Sequence, residues 1–292
     1  MATSPSHKLG QMIGNLLEEV LLPILEEVCE PRNLYLDIVG KKRSVRPGKK
    51  LSWYDSFGNK HDLDFVIEVG GSDEKQGRPI AFIEAAWRRY TKHSKNKAQE
   101  IQGAVLPLAE KHKYDQPFLG AVIAGEFTAP SIEQLESTGF KVLYFKYESI
   151  VQAFQSQGMD IRFGEDTPNE TLEAMVSSVE EKLEDDNLKK RLIEEIRRLN
   201  EKDILSFKRA LEATLDRETS TIIIIPMYGN DIVFNSPAEA LEFLESYHTE
   251  DVPSDLEFKQ FTIIIHYTNG NKITAEFTTI EAANSFIKRF YL

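Results

Sequence analysis

The strongest constraint on the fold is the alternation of helix-like and strand-like segments between residues 8 and 157. Residues 118–124 form a continuous apolar run, which is typical of a strand buried on both faces. Apolar residues recur at helical spacing in residues 8–29 and 95–113, and further strand-like runs lie between these two segments. A buried strand needs helices over both faces of its sheet. We therefore predict an α/β fold with a mixed sheet flanked by helices.

The length of the chain, 292 residues, predicts about two domains. Composition changes near Gly158, because residues 167–216 are highly charged and carry apolar stripes at helical spacing. We predict a core domain at 1–160, a helical linker or interaction segment at 161–219, and a third region at 220–292.

The third region contains an internal repeat. Residues 221–224 and 262–265 both read Thr-Ile-Ile-Ile, and a similar helical pattern follows each copy. Each copy indicates a strand, a turn, a strand and a helix, and one such unit buries little surface alone. We predict that the two ββα units form one four-stranded antiparallel sheet with helices on one face. Since the repeat carries no obvious chemistry, it favours a role in protein contacts.

Charge is distributed unevenly along this acidic chain. The net charge is −12, yet residues 40–113 contain sixteen Lys and Arg against nine Asp and Glu, or +7, which leaves −19 for the rest. Such asymmetry is typical of a local anion-binding face. The single cysteine, Cys29, excludes an internal disulfide, and the sequence shows neither a signal peptide nor a long apolar span. We expect a cytoplasmic protein without membrane contact.

Two carboxylates are the best candidates for chemistry. Asp64 begins one strand-like run, and Glu84 ends the next one, twenty positions later. Antiparallel pairing would bring the start of the first strand beside the end of the second. Paired hard oxygen ligands suit Mg²⁺ or Mn²⁺, which also bind substrate phosphate.

The order of a helix, three strands with Asp64 and Glu84, a helix and a strand resembles the core of the PD-(D/E)xK superfamily, the restriction-endonuclease-like nucleases. Residues 64–67 and 80–86 carry the resemblance, which extends over residues 8–157. It implies a metal-dependent endodeoxyribonuclease that hydrolyses DNA phosphodiester bonds, for example in restriction or phage defence.

The resemblance also implies roles for particular residues. Asp64 and Glu84 would bind the metal, with the backbone carbonyl of Ala85 as a third ligand. Ala86 stands where the superfamily has a lysine that orients the attacking water. We expect a lysine of the following helix to replace it, Lys97 first and Lys92 second, with Lys95 as a further candidate. A glutamate of the first helix, Glu18 or Glu19, would add another acidic ligand.

A basic stretch at residues 87–97 follows Glu84 directly. Cations beside paired carboxylates suit a polyanionic substrate. We expect the basic loop at 41–50 to form the opposite wall of the same cleft. The predicted phosphate contacts are Arg88, Arg89, Lys92, Lys95 and Lys97.

Two functions from different classes remain open. The first is the nuclease, with a homo-oligomer or a protein partner joined through residues 161–292, since cutting both strands commonly needs two active sites. The second is a catalytically inactive nuclease-fold subunit that binds or scaffolds, and Ala86 is the residue that favours it.

Overall fold

The computed structural model describes residues 4–46, 48–228, 230–247 and 260–290. The chain divides into two compact units, Met1–Glu212 and Ala213–Leu292. The first is an α/β unit with a mixed central sheet, and small antiparallel sheets occur in both.

A five-stranded sheet forms the centre of the first unit. The strands of this unit are β1 (Tyr35–Ile38), β2 (Leu51–Tyr54), β3 (Lys60–Leu63), β4 (Phe65–Val69), β5 (Arg78–Arg88), β6 (Phe118–Gly125) and β7 (Lys141–Lys146). The sheet order is β1-β4-β5-β6-β7. Pairing is antiparallel from β1 to β5 and parallel from β5 to β7. The predicted mixed sheet is confirmed.

Helices cover both faces of this sheet. They are α1 (Pro5–Cys29), α2 (Ser94–Lys111), α3 (Ala129–Glu136), α4 (Tyr147–Ser156), α5 (Asn169–Leu183), α6 (Asp186–Leu199) and α7 (Glu201–Leu215). Side chains alternate along β5. Phe82 and Ala86 join the apolar cluster of α2, whereas Trp87 lies on the opposite face, close to Gly10 of α1.

Helices α5 and α6, which follow Gly158, belong to the first unit. Helices α5 and α6 both contact α1, and α6 also contacts α4. Their apolar stripes supply the buried residues Val176, Val179, Leu192 and Ile196, so these stripes are used within the chain. In the described ranges, no helix combines the length and the apolar character needed to cross a bilayer.

Residues 51–54 form a strand outside the central sheet, because they pair with Lys60–Leu63 in a separate two-stranded sheet. The prediction that a strand ends at Glu84 is wrong, because β5 continues four residues further and its residues 81–88 pair in register with β6. The basic stretch therefore begins inside a strand.

The basic loop at 41–50 contains buried arginines and exposed lysines. Arg43 and Arg46 are both buried, and Asp37 and Glu68, their carboxylate partners, are completely buried. Arg43 Nη1 lies 2.6 Å from Asp37 Oδ2 and 2.6 Å from Glu68 Oε1. Arg46 Nη2 lies 2.9 Å from Asp37 Oδ1. These arginines are not available to a substrate, so the predicted cleft wall stays a prediction for the exposed lysines alone, which are Lys42, Lys49 and Lys50.

The second unit consists of two ββα repeats. Strand β8 (Thr219–Pro226), strand β9 (Ile232–Phe234) and helix α8 (Pro237–Ser246) form the first. Strand β10 (Phe261–Tyr267), strand β11 (Lys272–Phe277) and helix α9 (Ile280–Ile287) form the second. The sheet order is β11-β10-β8-β9, all antiparallel, and α8 contacts α9. The predicted four-stranded sheet with paired helices is confirmed.

Candidate active site

The register of β4 and β5 brings Asp64 and Glu84 together. Phe65 pairs with Ile83. Asp64 directly precedes Phe65 and Glu84 directly follows Ile83, so these two residues are neighbours in the two strands. Glu84 Oε1 accepts a hydrogen bond from the Asp64 backbone N–H at 3.2 Å. Asp64 Oδ2 accepts one from the Ala85 backbone N–H at 2.7 Å. The predicted antiparallel arrangement thus fixes both carboxylates by reciprocal backbone contacts.

The two carboxyl groups share a poorly solvated site. Only 8% of Glu84 is exposed. Burial raises the pKa of Glu84 well above its ordinary value, the charges of Asp64 and Glu18 raise it further, and Lys97 opposes this shift. Burial also raises the pKa of Asp64, and this effect exceeds the opposite effects of the Ala85 N–H and the charge of Lys97, which both lower the pKa. The site therefore holds more negative charge than its own cations compensate.

A third carboxylate comes from helix α1. Burial, followed by the charges of Asp64 and Glu19, raises the pKa of Glu18 to about 7. Glu19 is engaged elsewhere, because its Oε2 lies 2.7 Å from Lys189 Nζ. Of the two first-helix glutamates, Glu18 is the one within electrostatic reach of the pair.

Of the three candidate lysines, Lys97 is the one whose charge acts on this site. It lies near the start of α2, where Ala98 and Ile101 bury that helix against the sheet. Its charge lowers the pKa of both Asp64 and Glu84, and its side chain is only 20% exposed. Lys92, which is 58% exposed, pairs with Glu165 at 2.6 Å. Lys95 points to solvent.

Ala86 occupies the position two residues after Glu84, on the same face of β5. It is buried in the apolar cluster that contains Ala98 and Ile101 of α2. A lysine here would introduce a charged group into this apolar cluster, which is unfavourable unless the charge is paired. Ala86 contributes instead to the packing of α2 against β5.

The basic stretch is divided between different roles. Trp87 is buried. The guanidinium of Arg89 donates to the Phe163 carbonyl and lies 4.0 Å from the centre of the Tyr147 ring. Arg88 Nη2, in contrast, lies 3.2 Å from Glu100 Oε2. The interpretation of residues 87–97 as one exposed strip is therefore wrong, since Trp87 and Arg89 contribute to internal packing.

Glu100 connects two of the cations near the site. Its Oε2 lies 3.2 Å from Arg88 Nη2 and 3.3 Å from Lys97 Nζ. Glu100 is exposed, so a phosphate group could replace it as the partner of both cations. The sequence signal for this arrangement was the i, i+3 spacing of Lys97 and Glu100.

The donor set fits a hard divalent cation. Asp64 and Glu84 offer carboxylate oxygens, and Mg²⁺ commonly takes one or two protein carboxylates with waters and substrate phosphate completing its shell. Among the described residues, no group of three or more His, Cys, Asp and Glu side chains is arranged as a metal cluster. A cation here would therefore depend on the Asp64–Glu84 pair and on non-protein ligands, with Glu18 as the nearest further carboxylate.

We expect Glu18→Gln to stabilise the protein at pH 8 but not at pH 4. A carboxyl group whose pKa rises on folding, here from 4.5 to about 7, stabilises the fold below its unfolded pKa, and this stabilisation is lost as the pH rises through the folded pKa. After a discount for partial exposure, the difference should be about 1–2 kcal/mol. Thermal unfolding in EDTA at both pH values would measure it. An equal change in stability at pH 4 and pH 8 would contradict a raised pKa of Glu18 in the folded protein.

Comparisons with known proteins add little to this geometry. No protein-family model and no curated protein matches the chain. A solved structure described as the crystal structure of a protein of unknown function, AF1548, is 10% identical in sequence. The alignment covers 66% of this chain and 98% of that one, with a TM-score of 0.29. This likeness is too low to support an argument about fold or function, so the functional conclusion depends on the site itself.

Proposed function

We propose that this protein is a metal-dependent endonuclease of the restriction-endonuclease-like class, which hydrolyses DNA phosphodiester bonds with Mg²⁺ or Mn²⁺. The observation that carries the proposal is the Asp64–Glu84 pair, which is fixed by reciprocal backbone hydrogen bonds and lies within electrostatic reach of Lys97 on α2. A carboxylate pair with one adjacent ammonium is the minimal set for positioning a metal, a water and a phosphate.

Each residue has a definite task in this proposal. Asp64 and Glu84, with the Ala85 carbonyl, would hold the cation, which supplies charge neutralisation at the phosphate and a more acidic water. Lys97 orients the attacking water by donating a hydrogen bond to it. Arg88 binds a non-bridging phosphate oxygen after leaving Glu100. The attacking water releases one proton to solvent as its oxygen bonds to phosphorus, the ester P–O bond breaks, and the departing alkoxide takes a proton from solvent.

The raised pKa values of the site carboxyl groups support the metal in this scheme. Burial and neighbouring carboxylates raise the pKa of Glu18 to about 7 and the pKa of Glu84 well above its ordinary value. A divalent cation would compete with protons for these groups, so metal affinity should increase with pH.

The proposal is tested by incubating supercoiled plasmid with the protein in Mg²⁺, in Mn²⁺ and in EDTA. We expect nicking or linearisation with either metal, none in EDTA, and loss of cutting in Asp64→Asn. A folded protein that leaves DNA intact in both metals would overturn the proposal. Cutting that survives in Asp64→Asn would show that the activity comes from elsewhere.

Lys97→Met should lower the cleavage rate by about 10²–10⁴-fold, the usual contribution of a positioned proton-handling or water-orienting group. DNA affinity should change little, because one phosphate contact among several is lost. Lys95→Met is the matched control, since Lys95 lies in the same turn of α2 but is exposed. Single-turnover cleavage and binding in Ca²⁺ would separate the two effects. Equal loss in both variants would reduce Lys97 to an ordinary phosphate contact.

A catalytically inactive subunit remains the second candidate, and a specific observation favours it. Ala86 lies in the apolar core where it cannot act on a water, and Lys97 is paired with Glu100. In that case the protein would bind DNA or a partner equally well with and without divalent metal. We also propose that residues 161–292 join protomers or a protein partner, which sedimentation of the full chain would test.

A further inference from the structure

The hairpin formed by β2 and β3 presents an aromatic ring at its tip. Its strands pair from Leu51 with Leu63 to Tyr54 with Lys60. Phe57 lies in the connecting turn and is 90% exposed, the highest value among the exposed large apolar residues of the described part of the chain. Tyr54, at the end of β2, is 54% exposed. Neither ring has a role in the proposed chemistry.

The turn that carries Phe57 is held rigidly by the buried Asp55. The Asp55 carboxylate accepts hydrogen bonds from the backbone N–H of Phe57 at 2.8 Å and of Asn59 at 2.9 Å. It also accepts from Asn59 Nδ2 at 3.0 Å, and His61 Nε2 lies 3.1 Å away. Gly58 provides the positive φ of 83° that the turn requires. Because the turn is ordered in advance, a ligand that contacts Phe57 would lose little binding free energy to loop ordering.

The base of the hairpin is anchored in the core beside the candidate active site. Trp53 packs edge-on against Phe82, with ring centres 5.9 Å apart. Leu63, the last residue of β3, directly precedes Asp64. At about 3.3 Å per strand residue, the four residues of β3 place the tip roughly 15 Å from Asp64, which is about four stacked nucleotide steps.

Charge on the hairpin matches a polyanion. Lys50 and Lys60 flank Asp62 on the outer face, at 2.8 and 3.3 Å, and the Lys50 side chain is 72% exposed. Lys111 Nζ donates to the Tyr54 carbonyl at 2.7 Å, which brings a third ammonium to the end of β2. Two aromatic rings offer far less than the roughly 800 Å² per partner of a stable protein interface. A base and its phosphates fit this small surface better than a folded protein does.

We propose that the β2–β3 hairpin binds an unpaired nucleotide, with Phe57 stacked on the base and the hairpin lysines near its phosphates. The inference rests on the proposed function for its choice of DNA as the ligand, and it specifies a substrate with single-stranded or unpaired character beside the cleavage site. Stacking of this kind tolerates any base, because each has a π-face.

The test measures binding of a fluorescent 20-nucleotide oligothymidine to the full chain in EDTA by anisotropy. Phe57→Ala should weaken binding about 5- to 150-fold, the range observed for loss of one base–aromatic stack. Phe57→Trp should retain it. Val233→Ala is the control, because Val233 is exposed in the second unit. The ring is exposed, so these variants should fold like the wild type.

The outcomes separate this inference from the nuclease proposal, since no cleavage is needed. Weakening in Phe57→Ala with retention in Phe57→Trp supports stacking even if the protein cuts no DNA. Unchanged affinity in Phe57→Ala overturns the hairpin inference, even if plasmid is cut normally. If the wild type does not bind the oligonucleotide, the hairpin inference is also overturned. The exposed rings would then be better explained by contact with a protein. Photocrosslinking to 5-iodouracil DNA should modify the peptide that contains Phe57.

Discussion

Glu84→Gln should abolish DNA cleavage and, in the absence of metal, make the protein more stable at alkaline pH. Loss of a metal ligand removes several kcal/mol of transition-state stabilisation, which corresponds to a rate decrease on the order of 10²–10⁴-fold. Glutamine keeps the shape of the side chain and can still accept the Asp64 N–H. The substitution removes the negative charge of Glu84, which burial disfavours, so the folded protein should become more stable at alkaline pH.

The gain in stability has a defined pH dependence. Burial raises the pKa of Glu84 in the folded protein, so the group stabilises the fold below its unfolded pKa and loses that contribution as pH rises through the folded value. Glutamine resembles the protonated carboxyl group at every pH. The difference from wild type should be near zero at pH 4 and largest at pH 8, with each kcal/mol raising Tm by about 2–4 °C.

Glu133→Gln is the control for this experiment, because Glu133 is exposed on α3. It should change neither cleavage nor the pH profile of Tm. Addition of Mg²⁺ should raise the Tm of the wild type but not that of Glu84→Gln, since the cation binds the folded state through this residue. If Glu84→Gln has a lower Tm than the wild type at pH 8 in EDTA, the Glu84 carboxylate stabilises the fold. That result would contradict the expectation that this carboxylate serves catalysis and lowers stability.

Arg43→Met should destabilise the first unit by about 3–5 kcal/mol, the typical result of removing one partner from a buried ion pair. Arg43 serves both Asp37 and Glu68, and its Nη2 also donates to the Ser72 and Lys75 carbonyls at 2.6 and 2.8 Å. Without it, Glu68 loses its arginine partner and Asp37 keeps only the hydrogen bonds from Arg46. Thermal or urea unfolding would measure the effect, expected as a Tm decrease of roughly 6–20 °C.

Two further variants make this prediction specific. Lys41→Met should cost less than about 1 kcal/mol, because Lys41 pairs with the exposed Asp73 at the surface. Replacing Arg43 and Glu68 together by apolar residues should recover much of the lost stability, since Asp37 keeps Arg46 and no buried charge is then left unpaired. If this double variant is no more stable than Arg43→Met, the loss comes from the loop contacts of Arg43 and not from the unpaired Glu68 carboxylate.

The sequence allowed the pairing of Asp64 with Glu84 to be predicted because the information is local. Two apolar strands separated by a glycine-bounded connection pair antiparallel, and the ends of such strands meet. The preference for Lys97 over Lys92 came from its position near the start of the predicted helix. The charge of Lys97 acts on both carboxyl groups, but its role as the replacement lysine stays a prediction.

The buried arginines could not be predicted, because their partners are distant in sequence and look ordinary. Arginine in a loop is usually solvated, and nothing near Arg43 indicates that Asp37 and Glu68 will meet it. Only the β1–β4 register brings these carboxylates to one edge. Arg89 was misread for a similar reason: its aromatic partner Tyr147 belongs to α4, and Phe163 lies further along the chain.

The strand order of the second unit protects it from uncontrolled pairing between the edges of its sheet and those of other chains. The long isoleucine-rich strands β8 and β10 pair with each other at the centre of the sheet, so each covers the other's open edge. The outer positions go to β9, only three residues long, and to β11, which carries Lys272 and Glu276. Short and charged outer strands discourage cross-chain pairing. A chain cut between the repeats would expose an eight-residue apolar strand, so duplication of the unit also protects it from aggregation.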